Sequence, residues 1–216
     1  MRKKLLTGIL SSVLLLAGCT NTAASATASA SSSASAEKNL SSEYTDLPED
    51  NQLYYMEKDG VETLLLHGTG ILFFGFPECP WCQAYLPQLN EVLLANDAKA
   101  AYYNIYTDKT EDRTFYDTIA KDIESINDTG TPIIQYNNDG KQVIYMPLVL
   151  FIQNGRIVSY NNETCTEDSK VIQPADYWTQ EKKTALKAVL NTAVAQIKAA
   201  QVENEAKGCD NGCKVN

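Results

Sequence analysis

Histidine is almost missing from this 216-residue chain, which has only His67. Without paired histidines or a second Cys-x-x-Cys, the sequence lacks the usual ligand spacing of a zinc site. No glycine-rich phosphate loop follows a strand, so nothing points to nucleotide binding, and no cofactor or metal is expected. The apolar run Leu5 to Leu16 is twelve residues long, too short to cross a bilayer comfortably. Basic residues are also scarce, 18 against 27 acidic ones, for a net charge of −9. Such a chain is a poor candidate for binding nucleic acid or anionic lipid surfaces. Internal repeats are absent.

What the sequence does contain begins at its N-terminus. Arg2, Lys3 and Lys4 precede the apolar run, which is the pattern of a signal peptide. The run closes on Leu16-Ala17-Gly18-Cys19. This resembles the lipobox of bacterial lipoproteins, which are cut before the cysteine and lipidated on it. The resemblance implies residues 1–18 as a lipoprotein signal peptide and Cys19 as the lipidation site. Two acyl chains suffice for a stable anchor. Loss of residues 1–18 leaves 15 basic residues against 27 acidic, a net charge of −12. Thr20 to Ser35 is almost pure Ala, Ser and Thr, so it cannot build a core. Residues 19–50 are expected to be a flexible tether, with the first folded residues near Leu53. About thirty such residues reach roughly 30 Å, which keeps the domain near the extracytoplasmic face of a cell membrane.

The chemistry is concentrated in Phe73-Phe74-Gly75-Phe76-Pro77-Glu78-Cys79-Pro80-Trp81-Cys82. A buried-type strand (Ile71 to Phe76) leads through a bend into Cys-x-x-Cys and a helix. A cysteine just before a helix meets unpaired N–H groups and the positive end of the dipole. Both favour thiolate, so Cys79 is the expected nucleophile. Cys82, one turn further in, is placed to resolve a mixed disulfide. Pro80 and Trp81 lie between the sulfurs and can tune the pair. Pro80 supplies no N–H, and Trp81 shapes access. Glu78 is an acidic neighbour, either a proton acceptor or simply solvated. The bland alternative for Cys79 and Cys82 is a permanent structural disulfide.

The remaining pattern is α/β. Leu53 to Met56 reads as a short strand, and Asp59 as the cap of a small helix ending at Gly68. Pro87 is expected to kink the helix after Cys82. Ala100 to Tyr106 reads as a strand and Arg113 to Ile126 as an amphipathic helix. Ile133 to Tyr136 and Val143 to Tyr145 flank an Asn-Asp-Gly turn. Leu148 to Ile152 and Arg156 to Tyr160 form a hairpin about Asn154-Gly155. A long helix is expected from Thr179 to about Ala206. The folded domain is therefore assigned to 51–206, with a cysteine-bearing tail at 207–216.

This order, with Cys-x-x-Cys after the first buried strand and Met146-Pro147 opening a hairpin, resembles the thioredoxin-like fold. Phe74 to Cys82 is also similar to thioredoxin-like accessory proteins of Gram-positive bacteria, including those linked to bacteriocin production. The resemblance spans about residues 50–205. It implies a central mixed β-sheet flanked by helices, with a long C-terminal helix. It further implies a cis bond at Pro147 and a substrate-peptide site formed by Met146 and Pro147. The expected activity is thiol–disulfide exchange with protein thiols or disulfides and a redox partner at the membrane. Two departures stand out. Phe73 occupies the position where many thioredoxins carry a buried acid, and about Asn127 to Tyr145 is extra material.

Three other cysteines remain. Cys209 and Cys213 bracket an Asn-Gly turn and form a possible second disulfide, either a local seal or a relay pair, or else part of a soft-metal site. Cys165 lies in a polar loop and can pair with a tail cysteine or stay free. The competing reading of the whole chain is a non-catalytic thioredoxin-like binding module or a copper-handling lipoprotein.

Overall fold

A computed structural model describes residues 39–164, 166–167 and 170–212. Cys19, Cys165 and Cys213 lie outside the described residues. So do residues 1–38, which hold the expected signal peptide and most of the expected tether.

Five strands form one mixed sheet in the order β1-β3-β2-β6-β7. They are β1 (Leu53–Tyr55), β2 (Gly70–Phe74), β3 (Ala100–Tyr103), β6 (Leu148–Gln153) and β7 (Arg156–Asn161). β2 pairs parallel with β3 and antiparallel with β6, so it lies at the centre. All five of its residues are buried, as expected for an apolar strand covered on both faces. The side-chain period of two then divides the core. Ile71, Phe73, Tyr102, Val149 and Phe151 face one layer, with α2 (Pro80–Ala95) and α6 (Gln180–Gly212). Leu72, Phe74, Ala101, Leu150 and Ile152 face the other, with α1 (Lys58–His67) and α4 (Arg113–Ser125).

The hairpin β6–β7 turns at Asn154 and Gly155, both at positive φ (52° and 73°). This is the two-residue turn that Asn-Gly favours. At Gly155 a Cβ would lie 2.2 Å from the Leu66 carbonyl oxygen, so no other residue fits. The extra material folds as expected into a small hairpin, β4 (Gln135–Tyr136) with β5 (Gln142–Val143), outside the main sheet. β8 (Thr166–Glu167) and β9 (Lys170–Val171) form another. α5 (Pro174–Tyr177) precedes α6.

Several sequence expectations need correction. The folded body begins well before Leu53. Leu40, Tyr44 and Leu47 are buried in the α2–α6 layer, around a 3-10 turn at Leu40–Ser42. The strand expected to reach Tyr106 stops at Tyr103. Asn104 caps a separate helix α3 (Ile105–Thr110) by accepting the Tyr106 N–H. Glu57 occupies the N-cap position of helix α1 without a side-chain hydrogen bond, and Asp59 lies inside its first turn. Helix α6 runs on to Gly212, so Cys209 is in a helix rather than in a tail. Among the described residues, no helix is long and apolar enough to cross a membrane.

Candidate active site

Strand β2 delivers the chain to the end of the sheet, and the bend Gly75 to Glu78 turns it into α2. Gly75 is required at that bend. A Cβ there would lie 2.5 Å from the Phe73 ring and 3.3 Å from Cys82 Sγ. Cys79 is the N-cap of α2, with Pro80 at the first helical position, where a missing N–H costs nothing. Cys79 Sγ accepts the backbone N–H of Cys82 at 3.1 Å. A sulfur therefore does what a capping hydroxyl usually does, and it is the more strongly held the more negative it is.

The two cysteines are both free thiols, and their environments pull them apart. The Cys82 thiol donating to Cys79, together with the N–H groups of Cys82 and Trp81, holds Cys79 below the ordinary thiol range despite its burial. Burial pushes Cys82 far up, and the Cys79 charge adds to the rise. Cys82 is 0 % exposed and Cys79 6 %. The outer thiol thus ionises the more readily of the two, and the inner one the less readily.

The Met146–Pro147 peptide bond is cis. Pro147 is buried, and the Met146 carbonyl oxygen lies 4.0 Å from Cys79 Sγ. Met146, Pro147, Cys79 and Cys82, distant in sequence, are therefore brought to one end of the sheet. Trp81 is half-buried against Tyr177 (5.3 Å between centroids) and Trp178 (6.4 Å). Glu78 and Pro80 are exposed at the rim. His67, exposed at the end of α1, is remote in the fold from this end of β2. Among the described residues, no group of three or more His, Cys, Asp and Glu side chains could hold a metal ion.

Two contributors to the site come from residues that sequence reasoning left in the tether or passed over. Tyr44 is fully buried, and its hydroxyl donates to that of Tyr102 at 3.1 Å. Tyr102 in turn donates to the Gly75 carbonyl at 3.3 Å. Burial is the largest cause raising both tyrosines, and Cys82 lies close enough to add to it. Gln83 is the second contributor. Its amide donates to Pro77 O (2.7 Å) and Glu43 O (2.8 Å) and accepts from Thr45 N–H (3.3 Å). One side chain thereby ties the N-terminal segment to the loop bearing the cysteines. Leu40, Tyr44 and Leu47 stand at i, i+4 and i+7, an apolar spacing that could have revealed the segment. Gln83 carries no such signal.

No protein-family model matches the chain, and no curated protein matches it. The geometry therefore stands on its own.

Proposed function

We propose that the protein is a thioredoxin-like thiol–disulfide oxidoreductase, anchored through lipidated Cys19 at the extracytoplasmic face of a bacterial membrane. The observation that carries the reading is the asymmetry of the pair, with Cys79 Sγ capping α2 beside a fully buried Cys82 thiol. A permanent disulfide has no use for such asymmetry, whereas exchange chemistry needs a nucleophile and a resolver. The five-strand mixed sheet, the dithiol at its end and the neighbouring Met146-Pro147 support the fold name. The anchor and compartment rest on Arg2 to Cys19 alone.

In the reducing direction, the Cys79 thiolate attacks one sulfur of a substrate disulfide, and the other substrate sulfur leaves as a thiolate. Cys79 is then uncharged in a mixed disulfide. Its hydrogen bond and charge no longer raise Cys82, and burial alone remains. Cys82 loses its proton and attacks Cys79 Sγ, the second substrate thiol leaves, and the pair is oxidised by two electrons. The reverse sequence oxidises a dithiol substrate. The partner class is protein thiols and disulfides.

The test is the reduction potential of Cys79–Cys82, measured on protein lacking residues 1–36 with Cys165, Cys209 and Cys213 replaced by Ser. Equilibration against glutathione and dithiothreitol is read by tryptophan fluorescence. The expected result is a reversible pair between roughly −270 and −120 mV, the lower end marking a reductase and the upper an oxidase. A disulfide that dithiothreitol cannot open sinks the reading.

A further inference from the structure

A cleft of about 1000 Å³ opens beside the dithiol, with Glu78 and Pro80 at its rim. Its walls come from the N-terminal segment at Thr45 and Asp46, one face of α2, and α5 with the start of α6. On α2 its lining runs from Pro80 to Glu91, which at the helical rise is about 16 Å. An extended chain covers that length in about five residues.

Two polar groups in the wall have no partner. Gln88 Oε1 and Trp178 Nε1 are closed off from solvent, without a hydrogen bond among the described residues. The residues are 7 % and 6 % exposed. Each such group destabilises the fold when left unmet. One is an acceptor and the other a donor. A peptide unit offers the complement, one N–H and one C=O. Charge narrows the choice. Asp46, Glu78 and Glu91 line the cleft against Lys183, and Glu91 is also paired with Lys187. The lining stays acidic overall, which disfavours an acidic ligand.

We infer that this cleft binds the main chain of an extended, neutral or basic segment of the substrate polypeptide, next to the cysteine that reacts with Cys79. Gln88 Oε1 accepts a peptide N–H, and the Trp178 indole N–H donates to a peptide carbonyl. The inference rests on the oxidoreductase reading for the identity of its ligand. Both groups are covered in this structure, so binding turns the Gln88 amide and the Trp178 ring toward the segment.

The test uses the full-length chain in detergent, with Cys165, Cys209 and Cys213 replaced by serine. Substrates are short peptides whose single cysteine is a mixed disulfide with nitrothiobenzoate, flanked by alanine and lysine or by alanine and glutamate. The protein is reduced beforehand and followed over a single turnover, so KM and kcat are its half-saturation concentration and limiting rate: Cys79 attacks the peptide sulfur, coloured nitrothiobenzoate leaves as a thiolate, and Cys82 then releases the peptide thiol as the pair becomes oxidised. The symmetrical nitrothiobenzoate disulfide is the small control that does not need the cleft. Gln88→Leu and Trp178→Phe are expected to raise KM for the lysine peptide about tenfold. In Gln88→Leu, kcat for that peptide and the rate with the small disulfide stay unchanged, and the glutamate peptide binds worse than the lysine peptide to wild type. Gln88→Leu, which removes an unmet buried acceptor, leaves the urea midpoint unchanged or higher. That variant remains informative if Trp178→Phe folds poorly. An unchanged KM for the lysine peptide in Gln88→Leu overturns the inference. If wild type reduces neither disulfide, the oxidoreductase reading fails instead. The cleft is then judged by calorimetry of the lysine peptide with its cysteine replaced by serine. Binding weakened by Gln88→Leu supports the inference, and equal or no binding overturns it.

Discussion

Cys79 and Cys82 are the same residue type three positions apart, and the difference between them comes entirely from surroundings. The folded-state pKa of Cys79 is depressed, chiefly by the Cys82 thiol that donates to it and then by backbone N–H groups. Its thiolate is therefore favoured relative to that of an ordinary cysteine, whose pKa is about 8.5. Cys82 is shifted upward by burial. Iodoacetamide should thus label Cys79 at rates that level off below the ordinary thiol range, while Cys82 stays unlabelled until the protein unfolds. Mass spectrometry of labelling against pH checks this, and equal labelling of both cysteines would contradict it. Substitution separates the roles further. Cys79→Ser should abolish disulfide turnover, whereas Cys82→Ser should accumulate a mixed disulfide with substrate. A binding module, by contrast, keeps its function in Cys79→Ser. Gly75 is a third single-residue control on the site. Gly75→Ala puts a methyl into the Phe73 ring and against Cys82 Sγ, and overpacking of this kind costs about 1–3 kcal/mol. A wild-type urea midpoint in Gly75→Ala would show that the bend relaxes freely.

At the scale of elements, the N-terminal segment changes how the site is understood. Leu40, Tyr44 and Leu47 fill the same layer as α2 and α6, and Gln83 binds the segment to the cysteine loop. Burial of an apolar side chain contributes about 1.5–3 kcal/mol. A chain that starts at residue 51 should therefore be less stable than one starting at residue 39 by several kcal/mol. Its Cys79 should also label with an altered pH profile, because the loop loses its tie. Urea unfolding of the two lengths decides the matter, and equal midpoints would reduce the segment to an ornament. This segment also marks where sequence reading runs out. β2, the Asn154–Gly155 hairpin, α4 and the extra hairpin were legible because each has its own periodicity or turn chemistry. The dithiol was legible because a short motif places it at a strand-to-helix junction. Asn104 as a cap was overlooked, since Tyr102, Tyr103 and Tyr106 around it read as one strand. Tyr44 was hidden by the low-complexity stretch before it. Gln83 and the paired wall of Trp178 and Gln88 depend on contacts between distant elements, which no local pattern records.

Across the whole molecule, the core layer behind Cys79 and Cys82 is rich in tyrosine. Tyr44, Tyr85 and Tyr102 are all 0 % exposed, and all are packed on the α2 side of the sheet with Phe73. Burial is the largest cause raising each of their pKa values. The same holds for Cys82 between them. The sign of the linkage follows. A group whose folded pKa lies above its unfolded value lends its full stability below the unfolded pKa and loses it as pH rises toward the folded one. The unfolded values are about 8.5 for cysteine and about 10 for tyrosine. Stability should therefore begin to fall near the first and fall steeply beyond the second. Three tyrosines that ionise only in the unfolded chain give a slope approaching 4 kcal/mol per pH unit, about 1.4 for each proton. Urea midpoints followed from pH 7 upward test this, with Tyr44→Phe as the control. That variant keeps the ring in place, removes one ionising group and should flatten the alkaline limb by about 1.4 kcal/mol per pH unit. The loss of its hydrogen bond to Tyr102 lowers the neutral plateau by about 1 kcal/mol. A midpoint that holds level beyond the tyrosine range would mean that water reaches this layer, and that Cys82 is not sealed in as the packing has it.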